Sequence, residues 1–173
     1  MREVPESATE LLLRHEGFSA RRYKDGMADG VQLWSIGHGH QVRPGEPYDE
    51  NYVMTREEAR GLFRKDLSKY GEELSLAVKG IDLSDNEFGA LLSLYYNIGG
   101  RQFSNSTVLK ELRAGNRYSA AEAFSLWNKT TVNGELTTLP GLTRRRAEER
   151  FMFEGGLWGR AQDWALEQWG GNW

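Results

Sequence analysis

The hydrophobic positions of this 173-residue chain change their period along its length, from a helix to a hairpin and then to a run of helices. Residues 7–10, Ser-Ala-Thr-Glu, fit a helix-start capping box, three leucines follow, and Gly17 is placed to end the helix. Residues 31–36 then alternate with the two-residue period of a strand. Because residues 26–30 have turn chemistry, the simplest prediction is a β-hairpin.

After residue 54 the pattern is helical. Residues 55–58 and 84–87 form two more capping boxes. The first opens a helix with one apolar stripe. The second opens a helix that is apolar on most faces, ends at Gly99 and Gly100, and should be central and buried. Shorter helices are predicted over residues 106–114, 118–127, 142–154 and 158–168.

These elements predict a fold of the α+β class that is mostly α, with a small hairpin lobe and a larger helical lobe. The domain should cover residues 1–156, with the small lobe at about residues 17–54. Four of the six tryptophans lie in residues 157–173, where the spacing predicts a C-terminal helix packed on the same domain. The alternative role for these tryptophans is contact with sugar, cell wall or outer membrane.

Composition excludes several classes of protein. The formal charge of −3 argues against bulk electrostatic binding of nucleic acid. The chain has no cysteine, which excludes disulfides and thiolate metal or redox chemistry. No apolar run approaches the ~18 residues that span a bilayer, and the first residues lack the apolar core of a secretory signal. We therefore expect no stable membrane insertion and no cofactor.

Carboxylates around the predicted hairpin are candidates for acid–base chemistry. Glu16 lies on the last turn of the first helix, and Asp25 and Asp29 lie on the hairpin with Ser35. Glycoside hydrolysis needs one protonated carboxyl group that donates to the leaving oxygen and one carboxylate that activates water or stabilises the cation. The spacing alone is a weak signal because acidic residues are common on surfaces.

A series of motifs surrounds these carboxylates along the chain. They are Glu16-Gly17, Tyr23-Lys24-Asp25, Trp34-Ser35-Ile36-Gly37-His38-Gly39-His40, Phe88-Gly89-Ala90-Leu91, Tyr96-Asn97-Ile98-Gly99, Phe103-Ser104-Asn105-Ser106-Thr107-Val108-Leu109, Trp127-Asn128-Lys129, and Pro140-Gly141-Leu142 before three arginines. Over about residues 7–154 this series resembles the phage-type lysozymes, the endolysin muramidases of glycoside hydrolase family 24. Several motifs in the same order are far more specific than any one of them.

The resemblance implies a two-lobed lysozyme fold and hydrolysis of the β-1,4 bond between N-acetylmuramic acid and N-acetylglucosamine in peptidoglycan. It implies Glu16 as the acid, Asp25 as the second carboxylate and Ser35 in place of a family threonine. It also implies inversion, for which the carboxyl groups should be about 6.5–9.5 Å apart. Implied substrate contacts are Tyr96, Asn97 and Ser106.

The second carboxylate has two candidates. Nine residues separate Asp25 from Ser35, whereas the short form of the motif has five, and five residues separate Asp29 from Ser35. The Tyr-x-Asp context and the spacing from Glu16 favour Asp25, with an enlarged turn absorbing the additional residues.

His38 and His40 form a His-x-His pattern, but a metal site needs more ligands than these two. No metal site is therefore predicted. His40 is expected to be a hydrogen-bond or ion-pair partner, with Asp66 as one candidate, and His38 is expected only to pack.

The expected biology is that of a phage or prophage endolysin. The protein should be a monomer that collects in the host cytoplasm, reaches the periplasm and cell wall through a holin-type membrane lesion, and lyses the cell. Two alternatives stay open. A lytic transglycosylase would need Glu16 alone, which the presence of Asp25 and Ser35 argues against. A non-catalytic peptidoglycan-binding virion module would not need the intact Glu16.

Overall fold

A computed structural model of the protein describes residues 2–156. The predicted helix over residues 158–168 and the tryptophan-rich segment of residues 157–173 lie outside this range. The elements are α1 Glu6–His15, β1 Ser19–Ala28, β2 Val31–Gly37, β3 His40–Gln41, α2 Arg56–Ala77, α3 Asp85–Ile98, α4 Gly100–Ser104, α5 Thr107–Arg113, α6 Arg117–Ala123, a 3-10 helix Phe124–Trp127, β4 Lys129–Val132, β5 Glu135–Thr138 and α7 Pro140–Phe153. This content confirms the predicted α+β, mostly α, class. Among the helices of residues 2–156, none is long and apolar enough to cross a membrane.

The residues Leu12–Lys69 form one compact unit, here called the hairpin unit. Its strands β1, β2 and β3 make an antiparallel sheet in that order. Ile36, Met54 and Ala59 form its buried core. Gly37 has a φ of +67°, and a Cβ atom there would lie 3.0 Å from the Met54 sulfur, so the close approach of β2 to this core requires glycine.

The rest of the described chain forms a second unit, here called the helical unit. Helix α3 is its centre, as predicted, because every residue from Phe88 to Tyr95 is buried. A buried ionic network joins α3 to α7. The Ser93 hydroxyl donates to Glu149 Oε1 (2.6 Å), and Arg145 and Arg146 donate to the same oxygen at 3.2 and 2.8 Å.

Helix starts agree with the capping signals in two of three cases. The Thr55 hydroxyl accepts from the Glu58 N–H (3.1 Å), and the Ser84 hydroxyl accepts from the Glu87 N–H (3.1 Å). The box predicted at Ser7 is wrong, because α1 begins at Glu6 and already includes Ser7, and the Pro5 carbonyl accepts from the N–H groups of Ala8 and Thr9 (3.0 and 3.2 Å).

A second hairpin, β4–β5, lies where no strand was predicted. Its four residue pairs run from Lys129–Thr138 to Val132–Glu135. The turn is Asn133-Gly134, and both residues have positive φ angles. An Asn-Gly pair between strand-forming residues is the sequence signal that would have indicated this hairpin.

Candidate active site

A β-bulge in the first hairpin positions Asp25. The pairing of β1 with β2 shifts in the middle of the hairpin, so that Asp25 and Gly26 lie opposite a single residue, Leu33. The Gln32 side-chain amide donates to the Gly26 carbonyl (2.6 Å) and fixes the bulge from the other strand. Bulges bend a strand and re-aim side chains, and they are common beside active sites.

Ser35 holds the Asp25 carboxylate by a short hydrogen bond. The Ser35 hydroxyl donates to Asp25 Oδ2 at 2.5 Å. Ser35 is wholly buried on β2 and therefore has a fixed position, whereas Asp25 is exposed. Tyr23 pairs with Ser35 across the strands and lies two residues before Asp25, so the three side chains share one face of the sheet.

Glu16 is held by the end of α1. It follows the last helical residue directly, and its N–H still donates to the Leu12 carbonyl (3.0 Å). Its side chain is half-buried and lines a pocket of about 290 Å³ together with Tyr23 and the turn of residues 37–39. The predicted acid therefore lies at the wall of a cavity of the size that small ligands occupy.

Tyr23 lies within electrostatic range of both carboxylates. Partial burial raises the pKa of its phenol, and the negative charges of Asp25 and Glu16 raise it further, although a hydrogen bond with Ser35 lowers it. One side chain is thus influenced by both predicted catalytic groups. Tyr23 thus lies near Glu16 on one side and near Asp25, which is bonded to Ser35, on the other.

Asp29, the alternative second carboxylate, occupies the hairpin turn. Ala28 pairs directly with Val31, which leaves Asp29 and Gly30 as a two-residue loop with φ angles of +50° and +79°. This is the sign pattern of a type I′ turn, in which Asp-Gly is a favoured pair. The predicted enlarged turn is wrong, because only two residues form the turn and residues 26–28 belong to β1.

The two histidines have separate structural partners. His38 lies in a turn, where its Nδ1 donates to the Gly17 carbonyl (2.8 Å) and its ring packs on Phe18 and Phe63. The hydrogen bond from His38 to Gly17 was not predicted. It joins the turn of residues 37–39 to the residue that follows Glu16. Within residues 2–156, no cluster of three or more His, Cys, Asp or Glu side chains is placed to hold a metal ion.

His40 bonds to carboxylates on both sides of its ring. Its Nδ1 lies 2.7 Å from Asp66 Oδ2, which confirms the predicted partner, and its Nε2 lies 3.0 Å from Glu46 Oε2. Burial alone would raise the pKa of Glu46, but the Arg43 N–H and His40 together outweigh burial and lower it. These contacts hold the short strand β3 onto the rest of the hairpin unit.

The three predicted substrate contacts belong to the helical unit. Tyr96 is half-buried near the end of α3 and meets Tyr70 edge-on, with ring centroids 4.9 Å apart, and Asn97 is exposed. Ser106 is buried, and its hydroxyl accepts from the Leu109 N–H (3.1 Å) as the N-cap of α5. The structure thus gives Ser106 a helix-capping role, and its contact with substrate stays a prediction.

Comparison with known proteins identifies the family of this chain. The phage lysozyme family model matches residues 13–149. An endolysin of Acyrthosiphon pisum secondary endosymbiont phage 1 is 34% identical over 87% of this chain and 97% of its own length. The endolysin from Escherichia coli O157:H7 phage FAHEc1 is 32% identical, with a TM-score of 0.74 over 88% of this chain and 93% of that one. The muramidase domain of SpmX from Asticaccaulis excentricus is 31% identical, with a TM-score of 0.77 over 88% and 98%. The chain belongs to the phage lysozyme family.

Proposed function

We propose that this protein is an inverting muramidase that hydrolyses the β-1,4 bond between N-acetylmuramic acid and N-acetylglucosamine in peptidoglycan. The observation that carries the proposal is the 2.5 Å bond from Ser35 to Asp25, in a site where Tyr23 is within range of both Asp25 and Glu16. Membership of the phage lysozyme family supports a glycosidase, and the names of its relatives supply the substrate class.

In the proposed reaction Glu16 is the general acid. Its protonated carboxyl group donates to the glycosidic oxygen while the bond from that oxygen to the anomeric carbon of N-acetylmuramic acid breaks. The N-acetylglucosamine fragment leaves with a free 4-hydroxyl group, and Glu16 is left as a carboxylate. The fixed backbone at the end of α1 supports this role, because a general acid must keep its position relative to the leaving oxygen.

Asp25 is the proposed general base. Its carboxylate takes a proton from a water molecule as the water oxygen bonds to the anomeric carbon from the face opposite the leaving group. Ser35 is a positioning residue, because its hydroxyl engages Oδ2 and so orients the carboxylate toward the water. The product has the α configuration, and proton exchange with solvent then reprotonates Glu16 and deprotonates Asp25.

The role of Glu16 is tested by replacing it with glutamine, which keeps the shape and removes the acid. Wild-type protein should clear a suspension of permeabilised bacteria, and Glu16→Gln should reduce the rate by about 10²-fold or more. The matched control is Glu57→Gln, at an exposed position in the first turn of α2. Wild-type activity no greater than buffer would instead indicate a non-catalytic wall-binding module.

Mass spectrometry of the digest separates hydrolysis from transglycosylation. Hydrolysis adds water and leaves a reducing N-acetylmuramic acid end, whereas a transglycosylase leaves an anhydro end that is lighter by one water. We expect reducing ends only. Anhydro products would overturn the role proposed for Asp25.

The proposed function includes a cellular setting. We place the protein as a monomer in the host cytoplasm until a holin-type lesion gives it access to the periplasm and wall. Expression in the host with and without a co-expressed holin tests this, and lysis without the holin would contradict it.

We also propose that Tyr96 and Asn97 contact the substrate. Their alanine variants should raise KM while leaving kcat unchanged.

A further inference from the structure

The sheet face that carries Asp25 continues toward the hairpin tip as an aliphatic surface. Val31 and Leu33 alternate with the residues between them along β2 and lie on the same face as Ser35, and Ala28 is paired with Val31. We call Ala28, Val31 and Leu33 the aliphatic strip. Because Ser35 binds Asp25, the strip begins beside the carboxylate that is proposed to activate water.

The strip is open to solvent toward the hairpin tip. Val31 is 65% exposed, Ala28 is exposed and Leu33 is half-buried. A single exposed hydrophobic residue is ordinary on a protein surface. The strip differs because its members lie on one face, adjoin one another and run up to Asp25.

Hydrogen bonds and a tight turn hold the tip of the hairpin in one shape. The Gln32 side-chain amide donates to the carbonyls of Gly26 (2.6 Å) and Leu33 (2.8 Å). The two-residue turn at Asp29-Gly30 closes the end. A surface that is already ordered loses little conformational entropy when a ligand covers it.

We propose that the aliphatic strip binds the peptide stem of the peptidoglycan substrate, which rests on the function proposed above. The stem is attached through a lactyl group to N-acetylmuramic acid, the sugar whose anomeric carbon must lie at Asp25. Its lactyl and alanine methyl groups are suited to an aliphatic surface, and burying them against the strip is favourable. The strip therefore favours glycan chains that carry stems over bare glycan.

The test compares two substrates and two matched variants. Purified peptidoglycan is used intact and after an amidase has removed its peptide stems, and release of reducing ends is measured at limiting substrate. Val31→Ser should lower the rate about fivefold on the intact polymer and leave the rate on stripped glycan unchanged. Met27→Ser is the control, because Met27 is 66% exposed and pairs with Gln32 on the other face. It should change neither rate.

Two further variants separate contact with the stem from local loss of the strand. Val31→Ile keeps the aliphatic surface and should retain the wild-type rate. Val31→Thr keeps the β-branched shape of a strand residue while adding a hydroxyl, and it should lower the rate on intact polymer in the same direction as Val31→Ser. Circular dichroism of each variant should match the wild type.

Each contrary result shows which part of the proposal is wrong. An equal loss on both substrates means that the strip binds the sugar chain, and no loss on either means that it binds nothing. An equal loss for Met27→Ser means a general effect of changing the hairpin. If the wild-type protein releases no reducing ends from either substrate, the proposed function itself is wrong, whereas normal activity on stripped glycan leaves it standing.

Discussion

The two hairpins of this protein have the same turn chemistry and opposite surroundings. The first turns at Asp29-Gly30 and the second at Asn133-Gly134, and all four residues have positive φ angles. In the first hairpin, β2 ends in three buried residues and a third strand pairs with its edge. In the second hairpin every residue of both strands is exposed. The turn residues specify the connection between strands, whereas tertiary packing decides what the strands can do.

Only the first hairpin can hold a reactive group in a fixed orientation. Ile36 is wholly buried in the core, and this anchors the adjoining Ser35, whose hydroxyl engages Asp25. A site residue must be held by neighbours whose own positions are locked by packing. The exposed strands β4 and β5 offer no such support, and a two-stranded hairpin alone is only marginally stable.

The largest difference between the hairpins should appear in activity. Asp25→Asn removes the proposed base and should lower the rate of peptidoglycan hydrolysis by about 10²–10⁴-fold. Asp29→Asn is the control, because it gives the first hairpin the same Asn-Gly turn that the second hairpin has, and activity should stay within about twofold of wild type. The measurement is release of reducing ends. Loss of activity in Asp29→Asn alone would transfer the role to Asp29.

The next difference should appear in stability. Ile36→Ala removes a wholly buried side chain and should lower the free energy of unfolding by about 2–5 kcal/mol. Leu136→Ala, at a position that is 71% exposed on β5, should change it by less than about 0.5 kcal/mol. Urea unfolding followed by circular dichroism measures both. Equal effects would show that the second hairpin contributes to the core as much as the first.

Backbone hydrogen exchange should then rank the hairpins without any mutation. Amides of β2 lie in a sheet with a buried core, so their exchange requires extensive unfolding. Amides of β4 and β5 can exchange through local opening and should do so at least about 10²-fold faster. Mass-spectrometric exchange with peptide resolution measures this. Equal protection of the two hairpins would contradict the comparison.

The smallest effect concerns the acid sensitivity of the first sheet. The native pKa of Glu46 is lowered, so its contribution to stability is present above the unfolded pKa of about 4.3 and is lost as the pH falls through the native pKa. In Glu46→Gln, the free energy of unfolding, measured with urea, should therefore fall less steeply below about pH 5 than it does in the wild type. The same change at the exposed Glu135 of β5 is the control and should leave the decline unchanged.

The sequence predicts part of this contrast. The two-residue period of β2 and the turn residues after Asp25 indicate the first hairpin, and the motif context selects Glu16, Asp25 and Ser35. The bulge at Asp25 could not be predicted, because it depends on the register between two strands and because the turn chemistry of residues 26–30 obscured the continuation of β1 to Ala28. The strands of the second hairpin were missed because they are exposed on both faces and lack a buried alternating pattern.

Ser106 carries two different signals in the sequence. Its position in a family motif implied a sugar contact, but a serine at the start of a predicted helix is also a typical N-cap. In the structure it is buried and caps α5. The helix signal is therefore confirmed at this residue, whereas the sugar contact stays a prediction.

In the proposed mechanism Asp25, held by Ser35, activates a water molecule for direct displacement. The most direct test is proton NMR of the anomeric proton of the newly released N-acetylmuramic acid end, recorded before mutarotation. Direct displacement by water should release the α-anomer first. Initial release of the β-anomer would show retention through a second displacement and would contradict it.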